Sequence, residues 1–432
     1  MSLPYSNLEV RGVENYNVYD NNGGFKEAVD QSDYSGLQVI YHGSERLPDD
    51  PSAICEATTR TKRICGLSRR VSYLVLVIIL FVIIGAIAGG VAGGLSSTHD
   101  DPAGADIPSQ ESNANILRLT SSNRTDSKGY THRTVFFQDP HNAIIARIWD
   151  SQNKTWTASN LTEIMRGSTT PLNTLPGTPL ASASGNNETR LYFLDPDNHI
   201  SGIYLDTAGM VWKYDSSLSD QQIQTLQGSQ LAAMWQRYSD ESCGGNWIVA
   251  YQTPAGDINV ANSSTHWDSP AVAVDGQAVA LNSSLCLAPK LDTEGGVDWA
   301  MLISEAISSK STSDMQKTTY SGEWVPDGLR ITDIPLPSPK LQFAIALMEN
   351  FTQTMQLALL PNGTVTAMWW GNHQYQTIPS MNFRGGPAGV NFTAIAVSED
   401  AVLYDAFDGQ ILEYKPYDNE LSSFVYSGTV YP

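Results

Sequence analysis

Four aspartates stand at turns or strand ends of the predicted C-terminal domain, and paired carboxylates are the groups that glycoside hydrolysis requires. Asp139 and Asp195 occupy equivalent places in two similar segments, while Asp206 and Asp408 lie at other points of their segments. A glycosidase needs two carboxyl groups held at a fixed separation across the scissile bond. Asp is also common in turns, because its side chain accepts hydrogen bonds from nearby backbone N–H groups. The turn interpretation explains all four residues.

Other catalytic patterns are missing from the sequence. The segment SDESCGGNW, from Ser239, lacks the spacing of the sialidase box S-x-D-x-G-x-x-W, and there is no G-x-S-x-G motif or phosphate-binding Gly loop. No metal-ligand spacing is found among the scattered histidines His132, His141, His199, His266 and His373. The sequence therefore predicts no enzyme, no metal and no cofactor. A glycan-processing enzyme is the least favoured of the functions considered.

The acidic charge of the chain is concentrated in its C-terminal part. The chain has 432 residues, a formal net charge of −20 and 41% hydrophobic residues. Residues 1–70 carry 8 basic and 10 acidic side chains, whereas residues 96–432 carry 17 and 35. An acidic surface repels phosphate backbones and anionic headgroups, so we expect no nucleic-acid partner. The apolar fraction is too high for a chain that is disordered throughout.

One uncharged segment is long enough to cross a membrane. Residues 71–95 read VSYLVLVIILFVIIGAIAGGVAGGL. A membrane-spanning helix needs about 20 predominantly apolar residues. A cleaved signal peptide would begin near residue 1 and have a shorter apolar core. The sequence therefore predicts a single-pass membrane protein.

The residues that flank this segment predict its orientation. Basic residues precede it (Arg60, Lys62, Arg63, Arg69 and Arg70), and acidic residues follow it (Asp100, Asp101 and Asp106). The positive-inside rule places the N-terminus in the cytosol. All nine N-x-S/T triplets follow the segment, at Asn123, Asn153, Asn160, Asn187, Asn262, Asn282, Asn350, Asn362 and Asn391. They predict a glycosylated extracellular or lumenal domain, on the plasma membrane or in the secretory pathway, although a Ser/Thr/Asn-rich domain also forms such triplets by chance.

The four cysteines divide evenly between the two sides of the predicted membrane. Cys243 and Cys286 lie on the outer side, where a disulfide persists, and we expect one between them. Cys55 and Cys65 lie on the cytosolic side and are expected to be reduced. Cys65 is near the membrane, so S-palmitoylation and a plain free thiol are both open interpretations.

The segments before the C-terminal domain have distinct compositions. Residues 1–70 are rich in Asn, Asp, Ser and Gly without apolar periodicity, which predicts a disordered tail. In residues 71–95 a glycine recurs every fourth position, at Gly85, Gly89 and Gly93. Small residues at that spacing favour a helix–helix homodimer, and a loosely helical Gly-rich exit is the alternative. Residues 96–115 are rich in Ser, Asp, Pro and Gly and are predicted to form a stalk.

Residues 116–432 show an all-β pattern of short alternating runs separated by turns. An apolar run followed by a polar break recurs six times, from Ile116, Leu180, Leu231, Ala278, Phe343 and Ala394. The spacing of roughly 50 to 65 residues is typical of four-stranded propeller blades. A strand–turn–strand pattern follows most starts and is clearest from Thr134, Arg190, Ile248, Gln356 and Val402.

The turns between these strands also favour hairpins. Their centres read PHN, PDN, PAG, PNG and FDG, residues that tolerate the positive φ of tight hairpin turns. Only the fourth unit, around Val297, is irregular. The sequence thus predicts a six-bladed β-propeller, in which the ring protects blade edges that would be exposed in isolation. A two-sheet sandwich is the alternative, but it gives no reason for a period near 50.

One of these units closely resembles the repeat of the fungal fucose-specific lectins, which are six-bladed propellers. The unit is RLYFLDPDNHISGIYLD, from Arg190, and LYFLDPDN is its most specific part. The resemblance covers residues 116–432. The preceding segments, with a repeated Y-x-x-L-x-V, ICGLSRR and the Gly-rich span, are similar to the membrane anchor of many filamentous-fungal surface proteins. Together these resemblances imply a membrane-anchored lectin whose partners are glycans, fucosylated ones included.

The lectin resemblance implies sugar pockets between neighbouring blades. In that family an Arg on the second strand and a Glu twelve residues later bond the sugar, and an aromatic ring covers its apolar face. The matching pairs in this chain are Thr134 and Ala146, Arg190 and Gly202, Ile248 and Val260, Met355 and Ala367, and Ala401 and Glu413. No aligned unit keeps both partners, and the fourth unit cannot be aligned. Because a lone partner is left unpaired, we expect degenerate fucose sites on an intact scaffold.

The resemblance leaves six candidate ligand-binding residues: Arg190, Glu413, Tyr414, Trp149, Trp212 and Trp370. The tryptophans, with Trp369, are candidate stacking platforms, but such side chains also fill the spaces between blades. Two functions therefore remain in competition. One is a membrane-tethered carbohydrate-binding propeller, and the other is a protein-interaction or structural propeller without sugar binding.

Overall fold

The computed structural model describes residues 118–431, apart from residues 186–187, 208–209, 238–243, 292–298, 337, 339–340 and 418–419. The predicted tail, span and stalk, with Cys55, Cys65 and the glycines of the span, lie outside these residues. Within the described part of the chain, no helix is both long and apolar enough to span a bilayer. The described residues contain 26 strands, which form six sheets.

The first three sheets each contain four strands in chain order. Blade 1 contains β1 (Leu119–Thr125), β2 (Thr131–Gln138), β3 (Ile144–Asp150) and β4 (Thr155–Asn160), followed by helix α1 (Leu161–Arg166). Blade 2 contains β5 (Ala181–Ser184), β6 (Glu188–Leu194), β7 (Ile200–Asp206) and β8 (Val211–Tyr214), followed by helix α2 (Ser216–Ser219). Blade 3 contains β9 (Leu231–Arg237), β10 (Gly245–Gln252), β11 (Ile258–Asn262) and β12 (Ala271–Val274), with 3-10 turns at Ser263–Thr265 and Gly276–Ala278.

The last three sheets include two additional edge strands. Blade 4 contains β13 (Cys286–Lys290), β14 (Trp299–Ile307), β15 (Thr312–Tyr320), β16 (Trp324–Leu329) and the short β17 (Ile334–Pro335). Blade 5 contains β18 (Gln342–Met348), β19 (Gln353–Leu359), β20 (Val365–Gly371) and β21 (Gln374–Ile378). Blade 6 contains β22 (Asn382–Arg384), β23 (Ala394–Val397), β24 (Leu403–Phe407), β25 (Gln410–Pro416) and β26 (Ser423–Tyr431). Within blade 6, β22 pairs in parallel with β26 at the outer edge.

The predicted hairpin turns are confirmed at the residues that were expected to adopt positive φ. Asn142, Asn198, Gly256 and Gly363 have φ of 65°, 63°, 100° and 82°. Each follows the second strand of its blade, so the chain reverses and the third strand pairs antiparallel. On β3 the buried Ile144 and Ala146 alternate with a less buried residue and pack into the space between blades 1 and 2.

The predicted start of the fourth repeat at Ala278 is wrong. Ala278 ends a 3-10 turn, and the innermost strand of blade 4 begins at Cys286. The apolar run after Ala278 packs instead against the end of β14, where Ala280 N donates to Glu305 O at 2.9 Å and Val279 bridges to Ala306. An apolar run indicates that its residues are buried. Packing beside the end of a neighbouring strand buries them as well as forming a strand of the sheet would.

Six apolar clusters hold the ring together, one for each pair of neighbouring blades. Phe136 and Leu191 join blades 1 and 2, whereas Tyr404 and Val135 join blades 6 and 1. The remaining four clusters repeat this arrangement between the other blades. Because every blade buries both faces against a neighbour, the ring closes without a bare sheet face. The six-bladed propeller predicted from the sequence is confirmed.

The innermost strands surround a narrow polar channel of about 120 Å³. Hydroxyl pairs line part of it, with Thr120 and Ser182 at 3.0 Å and Ser184 and Ser122 at 2.9 Å. Arg237 of blade 3 donates to Glu399 of the opposite blade at 2.6 Å, so this ion pair reaches across the channel. The channel leaves little room for a ligand, and the larger cavities lie between blades and at their edges.

Candidate functional site

A repeated contact identifies the position equivalent to Arg190 in the irregular fourth blade. A backbone N–H at or near the end of the second strand donates to a hydroxyl that precedes the innermost strand: Leu194 to Thr178 (2.7 Å), Gln252 to Ser229 (2.9 Å) and Glu305 to Ser283 (2.8 Å). Four residues before Leu194 is Arg190, and four before Glu305 is Met301. The strand register then places Lys317 of blade 4 at the position that Gly202 occupies in blade 2. A cation therefore stands where the resemblance implied an acid.

The same comparison shifts the assignment in blade 6 by one residue. In blade 2 the position of the expected acid lies opposite the residue two places after Arg190. In blade 6 Glu413 lies opposite Tyr404, so the residue equivalent to Arg190 is two places before Tyr404, at Val402 and not at Ala401. The reason is the length of the hairpin loop, which is two residues in blade 6 because Phe407 pairs with Gln410. A constant spacing of twelve residues therefore fails wherever the loop length changes.

Arg190 lies between blades 2 and 3, where protein groups already occupy it. Its Nε and Nη2 donate to Glu188 Oε2 at 3.0 and 2.8 Å, and its Nη1 donates to Asp215 Oδ2 at 2.7 Å. The guanidinium also stacks at 4.7 Å from the centroid of Trp247 on blade 3. Asp215 is in turn the N-cap of α2, accepting from Leu218 N and from Ser217 Oγ. Arg190 is thus part of a structural ion-pair network.

The predicted residues Glu413 and Trp149 lie on the neighbouring blades 6 and 1, on β25 and β3. Glu413 is almost fully buried, its Oε1 is 3.9 Å from Lys415 Nζ, and its Oε2 has no hydrogen-bond partner among the described residues. Arg133 of blade 1 stacks at 4.5 Å from the Trp149 centroid and donates to Asp400 at 2.6 Å. The predicted platform Trp149 is therefore covered by a protein cation.

Three other predicted aromatic residues are core side chains. Tyr414 is completely buried among Phe383, Phe392 and Tyr426, and burial raises the pKa of its hydroxyl to about 12. Trp212 packs edge to face on Phe136 at 5.9 Å in the cluster between blades 1 and 2. Trp369 belongs to the cluster between blades 5 and 6. All three occupy the packing role that was the alternative to sugar stacking.

The aspartates considered for catalysis have backbone or surface roles. Asp139 and Asp195 each cap their own turn, since Oδ1 accepts from the N–H groups two and four residues later. Asp206 pairs with Lys213 at 2.7 Å on the blade surface. The ligand atoms of Asp195, Asp197 and His199 lie within 4.8 Å of one another, but the turn itself accounts for this grouping.

The glycosylation and disulfide predictions are met by the structure only in part. Six of the predicted sites are exposed, as glycosylation requires: Asn153, Asn160, Asn282, Asn350, Asn362 and Asn391. Asn123 and Asn262 are half-buried, and Asn187 lies outside the described residues. No described residue forms a disulfide with Cys286, and burial raises the pKa of its thiol to about 12. Cys243 lies outside the described residues, so the disulfide stays a prediction.

The cleft between blades 4 and 5 contains the feature that the other predicted positions lack, an open cavity walled by aromatic rings. Its volume is about 580 Å³. One wall is Trp370, which stands opposite Tyr375 on the neighbouring strand with ring centroids 6.4 Å apart. Both rings are partly exposed. Of the six residues predicted to bind a ligand, Trp370 alone lines this cavity.

A two-residue hairpin positions these rings. Gly371 pairs with Gln374, and the loop residues Asn372 and His373 have φ of 51° and 60°. Two successive positive φ values define the tight turn that matches strand twist, so Trp370 and Tyr375 meet directly across the strands. His373 then packs edge-on against Trp370 at 6.2 Å.

The polar floor of the cavity comes from blade 4. Lys317 Nζ donates to Asp327 Oδ2, which also accepts from Thr319 Oγ1 at 3.1 Å, and Arg330 approaches the second oxygen at 3.5 Å. Burial lowers the pKa of Lys317 although Asp327 opposes the shift. Burial would raise the pKa of Asp327, but Lys317, Thr319 and Arg330 together outweigh it and the pKa is lowered. Lys317 and Asp327 thus form a hydrogen-bonded ion pair at the floor of the cavity.

Sequence reasoning missed Tyr375 of blade 5, and it missed Met301 and Lys317 because blade 4 departs from the repeat. Its second and third strands are nine residues long, and its hairpin is displaced relative to the other blades. The residues that precede β14 lie outside the described part. The signal available in the sequence was the run of aromatic and polar residues WWGNHQY from Trp369, whose central dipeptide marks a hairpin.

Solved structures with the same fold are known among fungal lectins. The crystal structure of AofleA from Arthrobotrys oligospora superposes with a TM-score of 0.53 at 15% sequence identity, covering 69% of this chain and 83% of that one. The Aleuria aurantia lectin, described as a six-bladed β-propeller with a novel fucose recognition mode, gives 0.54 at 15% identity, covering 72% and 95%. The SapL1 lectin, solved with α-methyl fucoside, gives 0.52 at 13% identity, covering 74% and 98%.

These likenesses show that the chain shares the propeller fold with fucose-binding lectins. No protein-family model matches the sequence, and no curated protein matches it. At identities of 13 to 15%, the shared feature is the fold. The ligand has to be argued from the side chains of this chain.

Proposed function

We propose that this protein is a glycan-binding, lectin-like propeller whose sugar site is the cleft between blades 4 and 5. The observation that carries the proposal is the cavity of about 580 Å³, with partly exposed Trp370 and Tyr375 on one side and the Lys317 ammonium at its floor. Rings that cover the C–H face of a sugar and a few fixed polar groups are what saccharide recognition requires. The membrane span predicted at residues 71–95 would display this site outside the cytosol.

Fucose recognition by the lectin family's Arg–Glu pair has little support in this chain. In the proposed site the two positions carry Met301 and Lys317. Elsewhere Arg190 is bonded to Glu188 and Asp215 and faces no acid across the strands. A polar sugar site that lacks one partner leaves the other group unsatisfied. The scaffold favours a carbohydrate ligand, and the side chains favour a ligand other than fucose.

A protein-interaction or structural propeller is the second candidate. The packing of Tyr414 and Trp212 in the core and the ion pairs of Arg190 favour it. The sequence predicted that these residues contact a sugar, whereas in the structure they stabilise the fold. An interaction or structural role is the second candidate because the cavity between blades 4 and 5 has the aromatic wall and polar floor of a small-molecule site.

A glycan array probed with the purified full chain, kept in a mild detergent, tests the proposed function. We expect binding to a defined set of glycans that is lost in a Trp370→Ala, Tyr375→Ala double variant. A flat array together with specific protein capture would establish the second candidate. Turnover of an oligosaccharide would establish an enzyme instead.

A further inference from the structure

The charge at the floor of the blade 4–5 cleft is opposite in sign to that of the whole chain, whose formal net charge is −20. Lys290 and Lys317 both line the cavity, and Arg330 lies behind them against Asp327. One carboxylate, Asp327, therefore contacts two cations. Its second cation, Arg330, is also fixed over the ring of Tyr375 at 4.3 Å. The arrangement concentrates positive charge at one place on an acidic protein.

Within the described part of the chain, Lys290 is the cavity cation that forms no direct ion pair. Its Nζ lies 3.5 Å from Thr319 Oγ1 and 5.1 Å from the centroid of Trp299. Burial lowers the pKa of Lys290, and the nearby Lys317 ammonium lowers it further, although Asp327 opposes the shift. A half-buried ammonium without a carboxylate costs free energy, which an anion in the cavity would recover.

We propose that the blade 4–5 cleft takes an acidic saccharide, a sugar that carries a carboxylate or a sulfate ester. Its anionic group lies against Lys290 and Lys317, and its ring lies on Trp370, since Arg330 already covers the ring of Tyr375. This inference rests on the proposed glycan-binding function and names the class of glycan. The lectin resemblance implies an acid at the position that Lys317 occupies. A carboxylate accepts hydrogen bonds, whereas a lysine ammonium only donates them. The ligand group that meets Lys317 therefore has to be an acceptor.

The size and walls of the cavity favour a saccharide over a free inorganic anion. A cavity of about 580 Å³ lies within the range of small-molecule ligand sites. The Trp370 and Tyr375 faces have no role in holding a small anion, since the π-face of a ring is electronegative. Cations on one side and rings on the other match a ligand with one charged and one apolar face.

The rim of the cleft provides an opposing charge that makes the proposal testable by a gain of binding. Glu349 is exposed on the loop between β18 and β19 and lines the cavity. Glu349, Asn350 and Phe351 all have positive φ, of 47°, 53° and 68°. A positive φ is rare for a bulky residue, so the surrounding structure holds this loop in place. The loop thus places Glu349 at the edge of the cavity, where its negative charge repels an anionic ligand.

Titration calorimetry on the full chain in a mild detergent, with matched glycan pairs, tests the proposal. The pairs are a sialylated oligosaccharide with its desialylated form and a sulfated galactoside with the unsulfated one; a fucosylated oligosaccharide and inorganic sulfate are added. We expect the acidic member of at least one pair to bind about tenfold more tightly than the neutral one, with affinity that falls as salt rises. The two pairs distinguish a carboxylate from a sulfate.

Two opposite variants and a control complete the test. Lys290→Gln should weaken binding of the acidic glycan about tenfold, and Glu349→Gln should strengthen it about threefold. Lys213→Gln, which removes an exposed cation of blade 2, should leave the affinity unchanged. The gain expected for Glu349→Gln cannot arise from misfolding, so it supports the proposal independently of Lys290→Gln.

The outcomes separate this inference from the proposed function. Neutral or fucosylated glycans that bind as well as acidic ones, with no effect of Lys290→Gln, would overturn the acidic-saccharide assignment while glycan binding stands. Equal affinity for inorganic sulfate and the sulfated sugar would also overturn it. If no glycan of any kind binds, the proposed function itself is wrong.

Discussion

The clefts between blades 2 and 3 and between blades 4 and 5 are equivalent places in the ring that handle a buried cation differently. In the first, Arg190 is bonded to both Glu188 and Asp215 and covered by Trp247. In the second, Lys290 has no carboxylate partner among the described residues, and the cavity beside it is open. Burying a charge is costly unless it is paired. The first cleft meets that cost within the protein, and the second leaves it for a ligand to meet.

The difference shows why the unit that most resembles a lectin repeat need not contain the binding site. Blade 2 has the segment that most resembles the lectin repeat, including Arg190. Its guanidinium donates three hydrogen bonds to neighbouring carboxylates and has little left to offer a sugar. Blade 4 is the irregular unit, and irregular loops are where a scaffold acquires new contacts.

Arg190→Ala is expected to have the largest effect, a loss of stability in the blade 2–3 cleft. Asp215 is nearly buried and Glu188 half-buried, so removing the guanidinium leaves two carboxylates without their cation. Breaking a buried ion pair from one side typically costs about 3 to 5 kcal/mol. We expect a loss of that size in the free energy of unfolding, measured by urea denaturation of the full chain.

The control for Arg190→Ala is Arg166→Ala, which removes an exposed partner of Glu163 on helix α1. No measurable loss of stability is expected there. Glycan binding by folded Arg190→Ala should be unchanged. If binding were abolished while the fold stayed intact, the sugar site would lie between blades 2 and 3, and the difference drawn between the two clefts would be wrong.

Asp405 extends the comparison to a buried carboxyl group that has neither a cation partner among the described residues nor a cavity lined by it. It is fully buried on β24, and both carboxylate oxygens lack a hydrogen-bond partner among the described residues. Burial raises the pKa of Asp405 well above its ordinary value of 3.8. The folded state therefore holds the proton more tightly than the unfolded state. The stability that this proton contributes is present below the unfolded pKa and is lost as pH rises toward the folded pKa.

Asp405→Asn should remove this pH dependence. Between the ordinary pKa and the raised one, the wild-type free energy of unfolding should fall by at most about 1.4 kcal/mol per pH unit from this group. We expect the variant to be more stable than wild type at pH 7 and nearly equal to it at pH 4, in urea denaturation series at both values. Asp408→Asn, in the exposed turn that follows β24, is the control. Equal stability differences at pH 4 and pH 7 would show that Asp405 does not titrate in this way.

The propeller could be predicted because strand alternation and turn residues are local signals that repeat around the ring. Asn142 and Asn198 each mark a positive φ that the hairpin needs, and their spacing reflects the blade size. The start at Ala278 was misplaced because an apolar run indicates burial but not which neighbour provides it. Local signals therefore defined the number of blades more securely than the boundaries of the irregular one.

The site could be predicted only in part, because cross-strand register depends on loop length. Trp370 was found from its residue type, whereas Lys317 was missed since its hairpin breaks the twelve-residue spacing. Tyr414 was misjudged because neighbouring strand residues point to opposite faces, and Glu413 and Tyr414 cannot both face one cleft. Which carboxylates meet Arg190 depends on the cap of α2, a contact between residues 25 apart that no short motif encodes.

Trp370→Ala tests which of the two clefts binds the glycan, and its expected effect on free energy is smaller than those of the variants above. Trp370 is partly exposed at the wall of the blade 4–5 cavity, so its loss should remove the stacking surface and weaken glycan binding about tenfold, with little change in the urea midpoint. Trp235→Ala is the matched control, because Trp235 is also half-buried and packs on Trp247 at 4.4 Å, beside the blade 2–3 cleft. It should leave affinity unchanged. The opposite pattern in calorimetry, with affinity lost in Trp235→Ala and kept in Trp370→Ala, would place the ligand against blade 3 and remove the role assigned to the cleft of blade 4.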